Sequence, residues 1–195
     1  LTRAQFTATS PQNYWEFAKA STPGGLRIKA RELVTSVVLS ATSTGAFQLA
    51  NLPSSGSLTL SPVSFPRLSQ IANAFEWYIF HKADILFQSN QPTTATGEIL
   101  VCADYDAKDT APTTSVGMMR NITATMSNIY SDASCQALKS LARLPRFSIA
   151  VSSSGDVEQL YQALVYVGVE GYTGTSGDSV GYLVIEYDVE LFSPQ

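Results

Sequence analysis

The sequence predicts an all-β protein, an eight-stranded antiparallel jelly-roll β-sandwich with one or two short helices in its connections. Three observations carry this. Apolar and polar residues alternate with period two in several separate stretches, the pattern of strands with one buried face. Connectors rich in Gly, Pro, Ser and Thr recur at 21–25, 52–57, 89–97, 152–155 and 173–181, a spacing that fits about eight short strands. Charged residues make up only 14% of the chain, against about 25% in ordinary globular domains, which suits a surface covered by partners. A chain of 195 residues is by default one domain and buries a core without a metal or disulfide staple.

The elements follow in order. Residues 1–30 have the least periodicity and read as an arm or irregular lead-in, with residues 31–195 forming the folded domain. Leu33, Val37 and Leu39 alternate in the first expected strand. Phe65, Leu68, Ile71, Ala72 and Phe75 fall on a 3.6-residue face, which predicts a short amphipathic helix with Ser64 as N-cap and Pro66 in the first turn. Trp77, Ile79, Ala83, Ile85 and Phe87 share a parity in the longest strand, and residues 98–104 make a further one. A helical turn is expected over 115–120. Phe147, Ile149 and Val151 alternate, and 160–172 is a nearly continuous apolar run, a strand covered on both faces. At the end, Leu183, Ile185, Tyr187, Val189 and Leu191 point to the core, while Glu186, Asp188 and Glu190 point to water.

Composition narrows the function. A net charge of −4 gives no overall attraction for nucleic acid. Cys102 and Cys135 are the only cysteines, too few for a disulfide framework and not in metal-ligand spacing; reduced, packed thiols in an intracellular protein are expected. No apolar run approaches the length of about eighteen residues that spans a membrane, and no signal peptide is recognisable. The start at Leu1 rather than Met implies that something upstream was removed or left out. No Walker loop, dinucleotide-binding glycine pattern or His-rich metal motif occurs, and the Asn121-Ile122-Thr123 sequon is expected to go unmodified in an intracellular protein.

His81, Asp104 and Ser179 mimic the order of a His–Asp–Ser protease triad. Val180 after the serine is poorly suited to the tight turn that aims N–H groups at an oxyanion, and His81 lies inside a strand-like run. The sequence therefore argues against catalysis.

The most informative local feature is Asp104-Tyr105-Asp106-Ala107-Lys108-Asp109. Three carboxylates this close repel one another unless solvent or a cation intervenes. Hard oxygens on a loop suit Ca²⁺, which takes six to eight of them. The run is not an EF-hand: Lys108 stands at the fifth position, no Gly follows at the sixth, and Ser115 stands where the bidentate Glu belongs. A solvated acidic turn is the alternative, and a calcium site would need ligands from elsewhere, such as a neighbouring subunit.

Residues 64–76, Ser-Phe-Pro-Arg-Leu-Ser-Gln-Ile-Ala-Asn-Ala-Phe-Glu, resemble the helix linking the third and fourth strands in coat proteins of small icosahedral RNA plant viruses. The acidic run with its Pro-Thr-Thr sequel resembles the calcium loop of that family, and Arg31-Glu32-Leu33-Val34 fits the opening of its first strand. The likeness, to the sobemovirus and tombusvirus–necrovirus group, extends at pattern level over residues 26–195. It implies a shell domain over 31–195 whose identical copies close an icosahedral shell around single-stranded RNA, placing the protein in the virion and, during assembly, in the host cytoplasm. It implies Ca²⁺ between subunits, with Asp106 and Asp109 as the best-matching ligands and Asp104 as a third. The family's basic RNA-binding arm is missing from these residues, as is the protruding domain of many tombusviruses, which favours sobemovirus-like or necrovirus-like relatives. Arg27, Lys29 and Arg31 are the candidates for a local RNA-facing patch. The competing expectation is a lectin-like, carbohydrate-binding jelly-roll, with Tyr14, Trp15 and Trp77 as possible sugar-stacking rings.

Overall fold

The computed structural model of the protein describes residues 14–21, 23–53, 56–149 and 157–194. In chain order these form β1 (Trp15–Ala18), β2 (Leu26–Leu39), β3 (Ser43–Thr44), β4 (Gln48–Asn51), β5 (Leu58–Thr59), α1 (Leu68–Ala72), β6 (Phe75–Ser89), β7 (Glu98–Asp104), α2 (Ser115–Met119), β8 (Thr125–Asn128), β9 (Ala133–Leu138), β10 (Phe147–Ser148), α3 (Val157–Leu160), β11 (Leu164–Glu170), β12 (Thr173–Gly174) and β13 (Ser179–Pro194). Eight of the strands build the sandwich. β9, β6, β13 and β2 lie side by side in one antiparallel sheet, and β4, β11, β7 and β8 in the other. The ends of β2 and β4 also pair, Val38 with Asn51 and Leu39 with Ala50, so the two sheets join along one edge. This is the expected jelly-roll; β1, β3, β5, β10 and β12 are short additions at its margins. The expected division after residue 30 falls within β2, whose first residues pair with β1.

Between the sheets an aromatic cluster fills the centre. Phe80 meets Phe65 at 5.6 Å, Tyr78 at 5.6 Å and Tyr187 at 5.8 Å between ring centroids. Tilted and edge-on rings at such distances are favourable beyond the area they bury. β7 and β11 are covered on both faces, as the apolar run predicts for β11. Ile99, Val101 and Ala103 enter the main core, while Leu100 and Cys102 join Tyr166 and Met118 in a second, smaller cluster under α2. Gly168 belongs to that outer face, where a side chain would collide with the Phe47 ring and the Met118 sulfur.

Two bulges break the alternation that the sequence suggests. In β2 the register against β13 slips between Leu183–Thr35 and Val184–Leu33, and the extra residue reverses the faces. Leu33 is therefore 51% exposed, and Glu32 is buried on the core side. Its carboxylate accepts hydrogen bonds from the Tyr187 hydroxyl and from the Arg67 N–H. In β6 the slip comes at His81, so Tyr78 and Phe80 face the core before it and Ala83, Ile85 and Phe87 after it, while Ile79 is buried in the core as expected. Trp77 falls on the opposite face, contrary to its expected parity. Buried Gln162 bonds both the N–H and the C=O of Phe80, at 2.8 and 2.9 Å, and satisfies backbone groups beside the bulge.

Three local expectations need correction. Helix α1 starts at Leu68 with Arg67 as its N-cap residue; Ser64 instead ends a separate 3-10 turn, Pro62–Ser64, and its hydroxyl pairs with that of Thr59. Leu160 closes the helical turn α3 rather than opening a strand. Glu190, expected in water, is buried. The α2 turn is as expected, with the Thr114 side chain accepting from the Gly117 N–H at 3.0 Å. Ile149 continues the pairing of β10 by donating to Glu76 O at 2.9 Å, whereas Val151 and the connector at 152–155 lie outside the described residues.

Candidate functional site

The acidic run is placed by the end of β7. Alternation along that strand carries Cys102 to the outer face and Asp104 after it. Tyr105 turns inward, packs on the main core, and accepts a hydrogen bond from the Leu138 N–H at 2.8 Å. The strand end is held from the other side by Thr123, whose hydroxyl donates to Ala103 O and accepts from Ala103 N–H, both at 2.8 Å. Thr123 in turn donates its N–H to Asn121 Oδ1 at 3.0 Å, so the sequon residues lock a loop. Beyond Tyr105 the chain turns on carboxylates: Asp104 Oδ1 accepts from the Asp106 N–H, and Asp106 Oδ1 from the Lys108 N–H, each at 3.0 Å.

This geometry separates the three aspartates. Asp104 and Asp109 line one open cleft, together with Arg120, Asn121 and the strap 110–114 that leads into α2. Asp106 does not line that cleft; its Oδ2 lies 2.8 Å from Arg143 Nη2. Burial, then the charges of Asp109 and Asp106, push the Asp104 carboxyl above its ordinary value, against the hydrogen bond from Asp106 and the charge of Arg143. A half-buried carboxyl crowded by two others is what a bound cation relieves. Among the described residues no three His, Cys, Asp or Glu side chains of this chain converge to hold a metal. The donor set therefore fits Ca²⁺ in part: two hard carboxylates on one cleft, short of a full shell unless a second source supplies the rest.

The other candidates fare differently. His81 Nε2 is 2.8 Å from Glu190 Oε2, and the Ser21 N–H and hydroxyl donate to the same carboxylate. Burial opposes ionisation of Glu190, but these hydrogen bonds outweigh it and hold the carboxyl below its ordinary value. The cluster clasps the chain at Ser21 to the sheet. His81 cannot reach Ser179: Gly181 pairs with Ser89, and from there to His81 the strand runs roughly 26 Å at about 3.3 Å per residue. Both thiols are free and buried; burial raises both, Cys102 to about 12.

Arg27, Lys29 and Arg31 share the outer face of β2, but each stands opposite an acid on β13: Glu190, Asp188 and Glu186. Arg27 holds Asp188 with two hydrogen bonds of 2.7 Å. Across the sheet Glu16, Lys29, Asp188 and Lys82 form one row of alternating sign. Such pairs are mutually favourable, and they leave no net positive field. Of the three rings considered for sugar stacking, Trp15 packs on the core, and Arg146 covers Trp77 at 4.8 Å. Tyr14 is exposed, with its hydroxyl raised to about 12 by burial and by Glu186.

Neither Arg143 nor the Ser21–Glu190–His81 clasp stands out in the sequence. Nothing local marks them, because their partners come from distant segments.

Residues 3–195 match the family model of the viral coat protein S domain. The capsid protein of Pothos latent virus (isolate Pigeonpea/India) is 27% identical over 135 residues, 69% of this chain. The chain spans 35% of that relative's length. Among solved structures, tobacco necrosis virus superposes with a TM-score of 0.78 at 18% identity, covering 93% of this chain and 88% of its own. Cucumber leaf spot virus gives 0.77 at 22%, covering 93% and 54%. Cocksfoot mottle virus gives 0.70 at 15%, covering 93% and 97%. At these identities the superpositions establish a shared fold.

Proposed function

Given that this chain belongs to the viral coat protein S domain family, we propose that it is a structural shell subunit, one that tiles with identical copies into an icosahedral capsid enclosing single-stranded RNA. The observation that carries the reading is the family match across nearly the whole chain, on a jelly-roll whose charged sheet face is neutralised strand by strand. Closed symmetry is the natural end point for identical self-complementary subunits. On a sizing column, the full-length protein should elute as a particle rather than as a lone domain. Glycan binding by a protein that stays monomeric would favour the lectin-like alternative, which the covered Trp15 and Trp77 rings count against.

Calcium belongs to this proposal. Asp104 and Asp109 would hold the ion at the cleft, with Asp106 beside them, and the remaining ligands would come from a neighbouring subunit or solvent. The bound ion supplies two positive charges that offset the carboxylates and link the loop to whatever faces it. The chain's own part is to fix the loop, through Tyr105, Thr123 and the Asx turns at Asp104 and Asp106.

RNA attraction is expected to lie mainly outside the described sheet face. Arg27, Lys29, Arg31 and Lys82 are matched there by Glu16, Asp84, Glu186, Asp188 and Glu190. The 195-residue chain should therefore bind RNA weakly, with a log–log salt slope no steeper than about −1 to −2, where each neutralised phosphate contributes about −0.7 on a single strand. Filter binding at several salt concentrations measures this. A steep slope with tight binding would place the nucleic-acid contact on these residues after all.

A further inference from the structure

The acidic loop carries its own counterion. Arg143 follows the 3-10 turn Lys139–Leu141, far from the loop in sequence. Yet its Nη2 is 2.8 Å from Asp106 Oδ2, and its Nη1 is 2.8 Å from Glu158 Oε1. Lys108 Nζ reaches the other Glu158 oxygen at 3.2 Å. Charges thus alternate from Asp106 through Arg143 and Glu158 to Lys108, which returns the network to the loop where it began. The Arg143 side chain is 47% exposed. Exposed ion pairs add little to stability, so the main consequence of the network is where it puts charge.

We infer that Arg143 is the resident countercation of the acidic loop: it occupies Asp106, leaves Asp104 and Asp109 to the cleft, and sets how tightly the loop takes a divalent cation. The inference rests on the calcium reading above. Two effects act in the same direction. The guanidinium satisfies one of three carboxylates, and its positive charge adds to that of Arg120, which lines the cleft itself, in repelling any cation arriving at the other two. In water the repulsion between a unit charge and a nearby divalent ion is on the order of 1 kcal/mol, about five- to tenfold in affinity. Salt screens it, since the Debye length falls to about 3 Å at 1 M.

The test is calcium titration, followed by calorimetry, of the full-length protein and two variants, Arg143→Gln and Arg143→Lys. Arg143→Gln should bind calcium about five- to tenfold more tightly than wild type at low salt, and the gain should shrink at high salt. Arg143→Lys keeps the charge but not the planar fork, and should stay close to wild type. If wild type binds calcium and Arg143→Gln binds it equally or more weakly, the inference is overturned while the calcium reading stands. If Arg143→Lys tightens binding as much as Arg143→Gln, the fork rather than the charge is responsible, and the inference is again overturned. A wild type that takes up no calcium overturns the calcium reading, and this inference with it.

Discussion

Truncating Phe80 to alanine is expected to cost about 3–5 kcal/mol, the range for removing a large aromatic side chain from a close-packed core. Phe80 is fully buried and touches the rings of Phe65, Tyr78 and Tyr187. Its loss would leave a cavity where Phe65, ahead of α1, meets β6 and β13. The residue also precedes the His81 bulge, and its backbone is clasped by Gln162, so the site has little freedom to collapse into the gap. For a domain of this size the melting temperature should fall by roughly 6–20 °C. Thermal unfolding followed by circular dichroism measures it. A shift of only a degree or two would mean that this aromatic cluster is not the centre of the core.

Removing calcium is expected to have the second-largest effect. An ion that binds the assembled state stabilises it by about 2.7 kcal/mol when present at 100 times its dissociation constant, equivalent to roughly 5–11 °C in melting temperature. Chelator should therefore lower the melting point of the assembled wild type by that order. The Asp104→Asn/Asp109→Asn double variant keeps the side-chain sizes and the Asp104 hydrogen bond to Asp106 N–H, but removes both charges from the cleft. It should respond to chelator by a small fraction of the wild-type shift. Asp106→Asn should retain most of the response, because Asp106 is engaged by Arg143. If chelator moves wild type and double variant equally, the ion does not sit at Asp104 and Asp109. If it moves neither, the acidic loop is a solvated turn.

Much of the fold was legible in the sequence because its signals are local. Residues 98–104 coincide with β7, the doubly apolar stretch contains β11, and the turn expected over 115–120 contains α2. Alternation misled where a bulge added one residue. Parity puts Leu33 and Trp77 on the core face, yet single insertions at Val34 and His81 reverse the phase, and no residue type announces a bulge in advance. Glu32 and Glu190 illustrate a different limit. Their burial is tolerable only because distant groups satisfy them, Tyr187 and Arg67 for one, Ser21 and His81 for the other. The candidate site was legible as an acidic run, since three aspartates in six residues stand out without any alignment. The division of labour among them was not legible, because it depends on Arg143 and on the path of the strap 110–114 across the outer face of the sheet.

Electron microscopy of the full-length protein, purified at neutral pH with calcium present, decides whether this chain is a shell subunit. Closed shells of uniform diameter with icosahedral symmetry are expected, built from the same contact repeated between identical subunits. Particles that remain single subunits across every salt, pH and calcium concentration tried would contradict this, and so would open fibres without a closed form.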